Sequence, residues 1–468
     1  MRIEKDSIGE LKIEDNAFYG IQSLRASENF KISGTQVHPE MIRCYLLLKK
    51  FSAIANNKLN LLDSKKTEAI VSAIDDLVNI NNGLERSNYF IIDAYQAGAG
   101  TSQNMNLNEV IANKANELLG YRLGSYQEIN PNDHVNMSQS TNDTYPTAMK
   151  MASLSLSNKL IDELNLFSTS MSNKEKEFDH IIKAGRTHLQ DAVPIRLGQE
   201  FGAYKKTINQ LIKLVSEAQN YLRILGIGGS AVGTGLNVPV GYREIVIKEL
   251  SEYFSDYSLS IATNLIESMQ SQLPMMIYSN ALRAVALEFT RILNDLRLLS
   301  SGPHTGLAEI VLPQSQPGSS IMPGKINPSL LEMGNQVFFK VLGNDNAMAF
   351  AIQAGQLELN VMMPLMAQLC LESTQIITNA LTSIRIKCID SISANEMRCE
   401  KYLYQSSQLA TALSPLIGYA KVAELTKEAI KKNIPMMDLI KEKNILKEEQ
   451  FKKIFNLREM TEKEEVKY

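Results

Sequence analysis

From Thr147 to about His180 the chain repeats apolar residues at helical spacing without a break, with Leu160, Leu164, Phe167 and Met171 on one stripe. At 1.5 Å per residue this is a rod about 50 Å long. Strand signals are nearly absent elsewhere. The predicted fold is therefore all-α: a central bundle of very long helices with a helical cap at each end.

The polar residues gather at the ends of the predicted helices. Ser138-Gln139-Ser140-Thr141-Asn142-Asp143-Thr144-Tyr145-Pro146 precedes the long helix, with Pro146 suited to its first position. Gly185-Arg186-Thr187-His188-Leu189-Gln190-Asp191 breaks the chain after it, and another helix is expected after Pro194. Gln96-Ala97-Gly98-Ala99-Gly100-Thr101-Ser102 is a small-residue loop, with a helix start marked by Asn106 and Glu109 and an end at Gly120. The run Gln316–Pro328 joins two hydroxyls, flexible glycines, Lys325 and Asn327, with Asn327 placed to cap a helix beginning at Pro328. Such a loop delivers a cation and an amide to the positive end of a helix, which is an environment for an anion. Read singly, each loop is as well explained as a helix cap, Ser319 as a turn serine and His188 as a core histidine. Read together, four such clusters suit one composite site. Because one ligand cannot reach both ends of the 147–180 rod, that site would draw on several antiparallel chains.

Composition excludes other classes. The 468 residues are 44% hydrophobic and 21% charged, ordinary for a soluble globular protein. A net charge of −3 gives no electrostatic case for nucleic acid or an anionic membrane. The N-terminus lacks the apolar core of a signal peptide, and no stretch is long enough to span a membrane. Cys44, Cys370, Cys388 and Cys399 have no metal-type spacing and read as reduced core thiols of a cytoplasmic protein. With five histidines and no Cys/His cluster, no metal site is expected. The glycine-rich run 228–235 resembles a phosphate loop but has no lysine after Gly233, so no nucleotide is expected there. Residues 1–40 read as irregular, helices are expected from Met41 and over 68–78, and helical tracts cover 242–253, 263–300 and 328–387. The charged tail Lys441–Tyr468 reads as a solvated face.

The Gly318-Ser319-Ser320-Ile321-Met322-Pro323-Gly324-Lys325-Ile326-Asn327-Pro328 run resembles the hallmark loop of the aspartase/fumarase superfamily. Ser138–Asp143 and Gly185–Gln190 resemble that family's other two blocks, and the likeness spans essentially the whole chain. Tyr19–Phe30, the Gln96–Ser102 loop and Asn130 before Pro131-Asn132-Asp133 resemble the aspartase branch more than the fumarase branch. The resemblance implies a three-domain subunit, with a mostly helical domain over 1–141, a five-helix central domain over 142–395 and a small helical domain over 396–468. It also implies a homotetramer with a twenty-helix core, and active sites each shared by three subunits.

The reaction implied is the cofactor-free, reversible anti elimination of ammonia from L-aspartate to give fumarate through an aci-carboxylate. Hydration of fumarate to malate, or an inactive scaffold, are the alternatives. By the same resemblance Ser319 is the catalytic base, and His188 is paired with Glu332, one turn into the helix after Pro328. Thr101, Ser140, Thr141 and Ser320 are hydroxyl donors to the β-carboxylate, Lys325 and Asn327 hold the α-carboxylate, and Asn142, Thr187 and His188 surround the amino group.

Overall fold

The computed structural model describes residues 1–80 and 88–462, and these are mainly helical. A hairpin of β1 (Arg2–Lys5) and β2 (Glu10–Ile13) leads into α1 (Ile21–Asn29), α2 (Pro39–Lys58), α3 (Ser64–Val78) and α4 (Thr101–Leu118). Then follow α5 (Thr141–Glu177), the antiparallel hairpin β3 (Ile182–Thr187) and β4 (Gln190–Arg196), α6 (Leu197–Leu222), α7 (Tyr242–Tyr253), α8 (Leu265–Gln270) and α9 (Leu273–Leu299). The chain closes with α10 (Ser329–Gln353), α11 (Met363–Lys387) and shorter helices from α12 (Glu396–Gln405) to α17 (Leu457–Met460). Among the described residues no helix is long and apolar enough to cross a membrane. The expected rod exists as α5, 37 residues long, and Leu160, Leu164, Phe167 and Met171 are fully buried along it.

Contacts divide the chain into two units. One comprises residues 1–161, 213–286 and 339–378; the other comprises 162–212, 287–338 and 379–468. The five longest helices, α5, α6, α9, α10 and α11, each contribute residues to both.

In the first unit α2 packs on α3 and α7, and α3 on α4. The expected irregularity of residues 1–40 gives way to the β1–β2 hairpin and α1. The N-cap of helix α1 is Gly20, which has no side chain to cap it. The cap comes from Glu109, whose carboxylate accepts the N–H groups of Gly20, Gln22 and Ser23 at 2.9–3.0 Å. The Asn106–Glu109 pair therefore does not start a helix: α4 begins at Thr101, and both residues are buried in its middle, serving a distant helix end. The expected tract 263–300 is interrupted at Ser271-Gln272, and the tract 328–387 at 354–362. At the second break one buried asparagine does both jobs. Asn360 Nδ2 donates to the carbonyls of Ala351 and Ile352 at the end of α10, and its Oδ1 accepts Met362 N–H at the start of α11.

In the second unit Phe167, Phe289 and Phe338 form an aromatic core, with ring centroids 5.1 and 5.9 Å apart. Pro194 does not open a helix; it sits in β4 opposite Ala184, and α6 starts only at Leu197. Proline is tolerated in a two-stranded ribbon because it lacks a donor only toward the edge. The described tail from Lys441 folds into short helices whose charged residues, among them Lys441, Lys443, Glu448 and Lys452, form the expected exposed face. Met436, Leu439, Ile440 and Phe455 join a core with Leu403, Leu413 and hairpin residue Ala184. Arg458 of α17 reaches Asp179 at 2.8 Å, and Arg196 meets the same carboxylate at 2.8 Å. Residues 463–468 of the expected tail lie outside the described residues. All four cysteines are buried and free.

Candidate active site

The sequence-predicted residues fall into three stations. The first lies in the first unit, at the starts of α4 and α5. Gly100 has φ +83°, and a Cβ there would stand 2.0 Å from the Tyr145 ring, so only glycine lets the loop before Thr101 lie against α5. Tyr45 Oη joins the two helices, donating to Asn104 Oδ1 at 2.8 Å and sharing a 2.7 Å hydrogen bond with Thr144 Oγ1. Thr101 is exposed, Ser140 and Asn142 are half-buried and Thr141 is buried. Pro146 is inside α5 and does not begin it. The first turn forms earlier because side chains fix it. Asp143 Oδ1 accepts Ser140 N–H at 3.0 Å, and Ser140 Oγ accepts Asn142 N–H at 3.2 Å.

Beneath this station lies a buried polar layer. Lys49 Nζ donates to Asn136 Oδ1 at 2.9 Å, and the same oxygen accepts Asn104 and Asn108 amides at 3.2 Å. Burial pushes the Lys49 amine down to about 7, with Asp143 opposing the fall. Burial pushes the Asp143 carboxyl up to about 6, against three backbone N–H groups and the Lys49 charge. Between pH 7 and 10 the unfolded chain holds the Lys49 proton and the native state does not, so this group makes stability rise with pH there. Lys49→Met leaves Asn136 with its two amide donors and removes a buried ionisable group. It is expected to raise the melting temperature at pH 7 and to flatten its rise between pH 7 and 9, read by thermal denaturation.

The second station is the tip of the β3–β4 hairpin. His188 and Leu189 have φ +55° and +57°, the left-handed pair of a two-residue hairpin turn, here without glycine. Both Thr187 and His188 are exposed. The strand below is anchored through charge. Buried Glu309 accepts Arg186 Nη1 at 2.9 Å and Lys183 Nζ at 2.9 Å, and Lys183 also reaches Glu200 at 2.8 Å.

The third station is the 316–328 loop. A Cβ on Gly318 would lie 2.1 Å from the Lys325 carbonyl, and Gly324 has φ +79°, so both glycines are needed for the loop to double back. Ser319 Oγ accepts the N–H groups of Ile321 at 3.3 Å and Met322 at 3.0 Å. Two backbone donors on one hydroxyl oxygen favour its deprotonated form. Asn327 does not cap the next helix. Its Nδ2 donates to Gly318 O at 2.5 Å, tying the loop ends, while the Pro328 carbonyl takes the first helical bonds from Leu331 and Glu332. Ser320 and Lys325 are exposed, and Glu332 sits half-buried in the first turn of α10. Among the described residues of one chain, His188 and Glu332 form no ion pair. No group of three or more His, Cys, Asp or Glu there is placed to hold a metal ion.

Sequence reasoning passed over Asp143 and Tyr45. For Asp143 a signal was present: Ser140-x-x-Asp143 has the spacing of a reciprocal helix cap. Tyr45 carries none, since a tyrosine on an apolar helix face reads as core.

Hydroxyls, one lysine and a serine oxygen that accepts two backbone N–H groups thus lie at two helix starts, a hairpin tip and the 316–328 loop. The chain belongs to the lyase family, whose profile matches residues 9–343, and a fumarase C C-terminus profile matches residues 409–462. Among curated relatives, aspartate ammonia-lyase of Helicobacter pylori is 46% identical over 457 residues, covering 97% of either chain. The aspartate ammonia-lyase of Bacillus subtilis is 44% identical over 98% of this chain and 96% of its own. Among solved structures, a fumarate lyase:delta crystallin from Brucella melitensis bound to cobalt superposes with a TM-score of 0.93 at 44% identity, covering 98% of this chain and 99% of that one. A class II fumarase from Schistosoma mansoni gives 0.94 at 33% identity, over 99% of this chain and all of its own.

Proposed function

We propose that this enzyme is a carbon–nitrogen lyase that reversibly deaminates L-aspartate to fumarate and ammonia. The observation that carries the reading is near-full-length identity of 41–46% to aspartate ammonia-lyases. Ser319, as its alkoxide, takes a proton from the carbon beside the β-carboxylate. The electron pair passes into that carboxylate, making the doubly charged aci form, which Thr101, Ser140, Thr141 and Ser320 hold with strengthening hydrogen bonds. The pair then returns to form the C=C bond as the Cα–N bond breaks. The ammonium nitrogen keeps the bonding pair and departs as neutral ammonia. Lys325 and Asn327 hold the α-carboxylate, and Asn142, Thr187 and His188 the amino group.

The three stations come together between copies of the chain in a homotetramer, each site drawing on three subunits, with His188 set against Glu332 there. Exposed apolar faces support association. On α10, Phe339 and Phe350 stand three turns apart on one face and are 58% and 69% exposed. The four buried free thiols fit the reducing cytoplasm. The test is fumarate formation, followed by ultraviolet absorbance, from L-aspartate and from L-malate. Turnover of L-aspartate alone is expected; turnover of malate alone would replace this reading with a hydratase.

A further inference from the structure

The glycine-rich turn at 228–235 takes no part in the steps above, yet its backbone is unusual. Gly228, Ser230, Gly233 and Gly235 have φ of +82°, +60°, +89° and +72°. A serine in this region is strained and persists only where its surroundings require it. What requires it is a carboxylate. The N–H groups of Gly228 and Ser230 both donate to Asp143 Oδ2 at 3.0 Å, while Oδ1 takes Ser140 N–H. Asp143 is fully buried, so the turn is an anion nest whose anion is part of the chain. Lys49 faces it from α2, and Tyr45 and Tyr242 feel its charge from α2 and α7.

The clamp has a consequence one residue away. Asn142 Nδ2 donates to the carbonyl of Ala231, inside the same turn, at 2.8 Å. That contact uses one of the amide's two N–H donors, and among the described residues Oδ1 has no hydrogen-bond donor. An ammonium group only donates hydrogen bonds, so it needs an oxygen opposite it; a flipped amide would present N–H groups to a cation. We propose that Asp143 is a positioning residue for amine recognition, clamping the 228–231 turn so that Ala231 keeps Asn142 Oδ1 turned toward the substrate ammonium. This rests on the L-aspartate reading above.

The test compares two ligands that differ in the amine. KM for L-aspartate and the inhibition constant of succinate, a dicarboxylate of the same length without the amine, are measured on full-length Asp143→Asn. The substitution keeps the shape but sets an N–H2 group against backbone donors. KM for L-aspartate is expected to rise about tenfold, the scale of hydrogen bonds to a charged group, while succinate inhibition stays within about a factor of two. Equal losses for both ligands, or no change in either, overturn the inference. Should Asp143→Asn fail to fold, Gly228→Ala carries the same comparison. Its Cβ would lie 3.0 Å from Arg243 Cβ and displace the turn while residue 143 stays aspartate; a loss confined to L-aspartate supports the clamp, and any other pattern removes it. A wild type inert toward L-aspartate overturns the functional reading, and this inference with it.

Discussion

Ser319→Ala is expected to lower kcat for L-aspartate by about a thousandfold or more, the range lost when a positioned base is removed. KM should change little, because the hydroxyls and Lys325 that are proposed to hold the carboxylates are untouched. The expectation follows from the loop: Gly318 and Gly324 let it fold back until two backbone N–H groups point at one serine oxygen. That arrangement does little for a neutral hydroxyl, which keeps its own proton, and much for an alkoxide. The measurement is steady-state fumarate formation, with succinate inhibition as the check that the site still binds. Unchanged turnover would dismiss Ser319 as the base and leave it a turn residue.

The second large effect concerns assembly. A Thr101→Ala/Asn142→Ala variant and a Ser319→Ala variant should each be nearly inactive alone, since one lacks station one and the other station three. Mixed as unfolded chains and refolded together, they should recover activity. If the stations come from different copies, a site is whole when two independent choices both fall right, so about a quarter of wild-type activity is expected at an equal mixture. If both stations of a site come from one chain, every site lacks a part and the mixture stays dead. Activity against mixing ratio separates the two cases.

What was legible in the sequence was periodicity and end chemistry. The 37-residue α5, with Leu160, Leu164, Phe167 and Met171 buried, follows from a pattern that each turn of helix repeats, which needs no knowledge of partners. The loop at 316–328 was legible because glycine, hydroxyl and lysine there are chosen for local geometry. The elements misread share a different cause. Glu109 has the spacing of a local cap but caps α1, 86–89 residues back along the chain. Pro194 has the look of a helix start but sits in a ribbon held by Ala184. In each case the local preference was weak, about 1 kcal/mol for a cap, and pairing elsewhere in the fold outweighed it.

The site divides the same way. The sequence by itself determined the residue types and the polar segments between the long helices in which they sit, because such breaks are set by local composition, although the exact helix starts were not. Only the tertiary structure decided that the glycine turn closes on Asp143, that Asn327 ties its own loop rather than a helix, and that Tyr45 joins α4 to α5. Those choices depend on which donor and acceptor are left unpaired once the core has closed, and burial makes an unpaired group expensive enough to fix the answer.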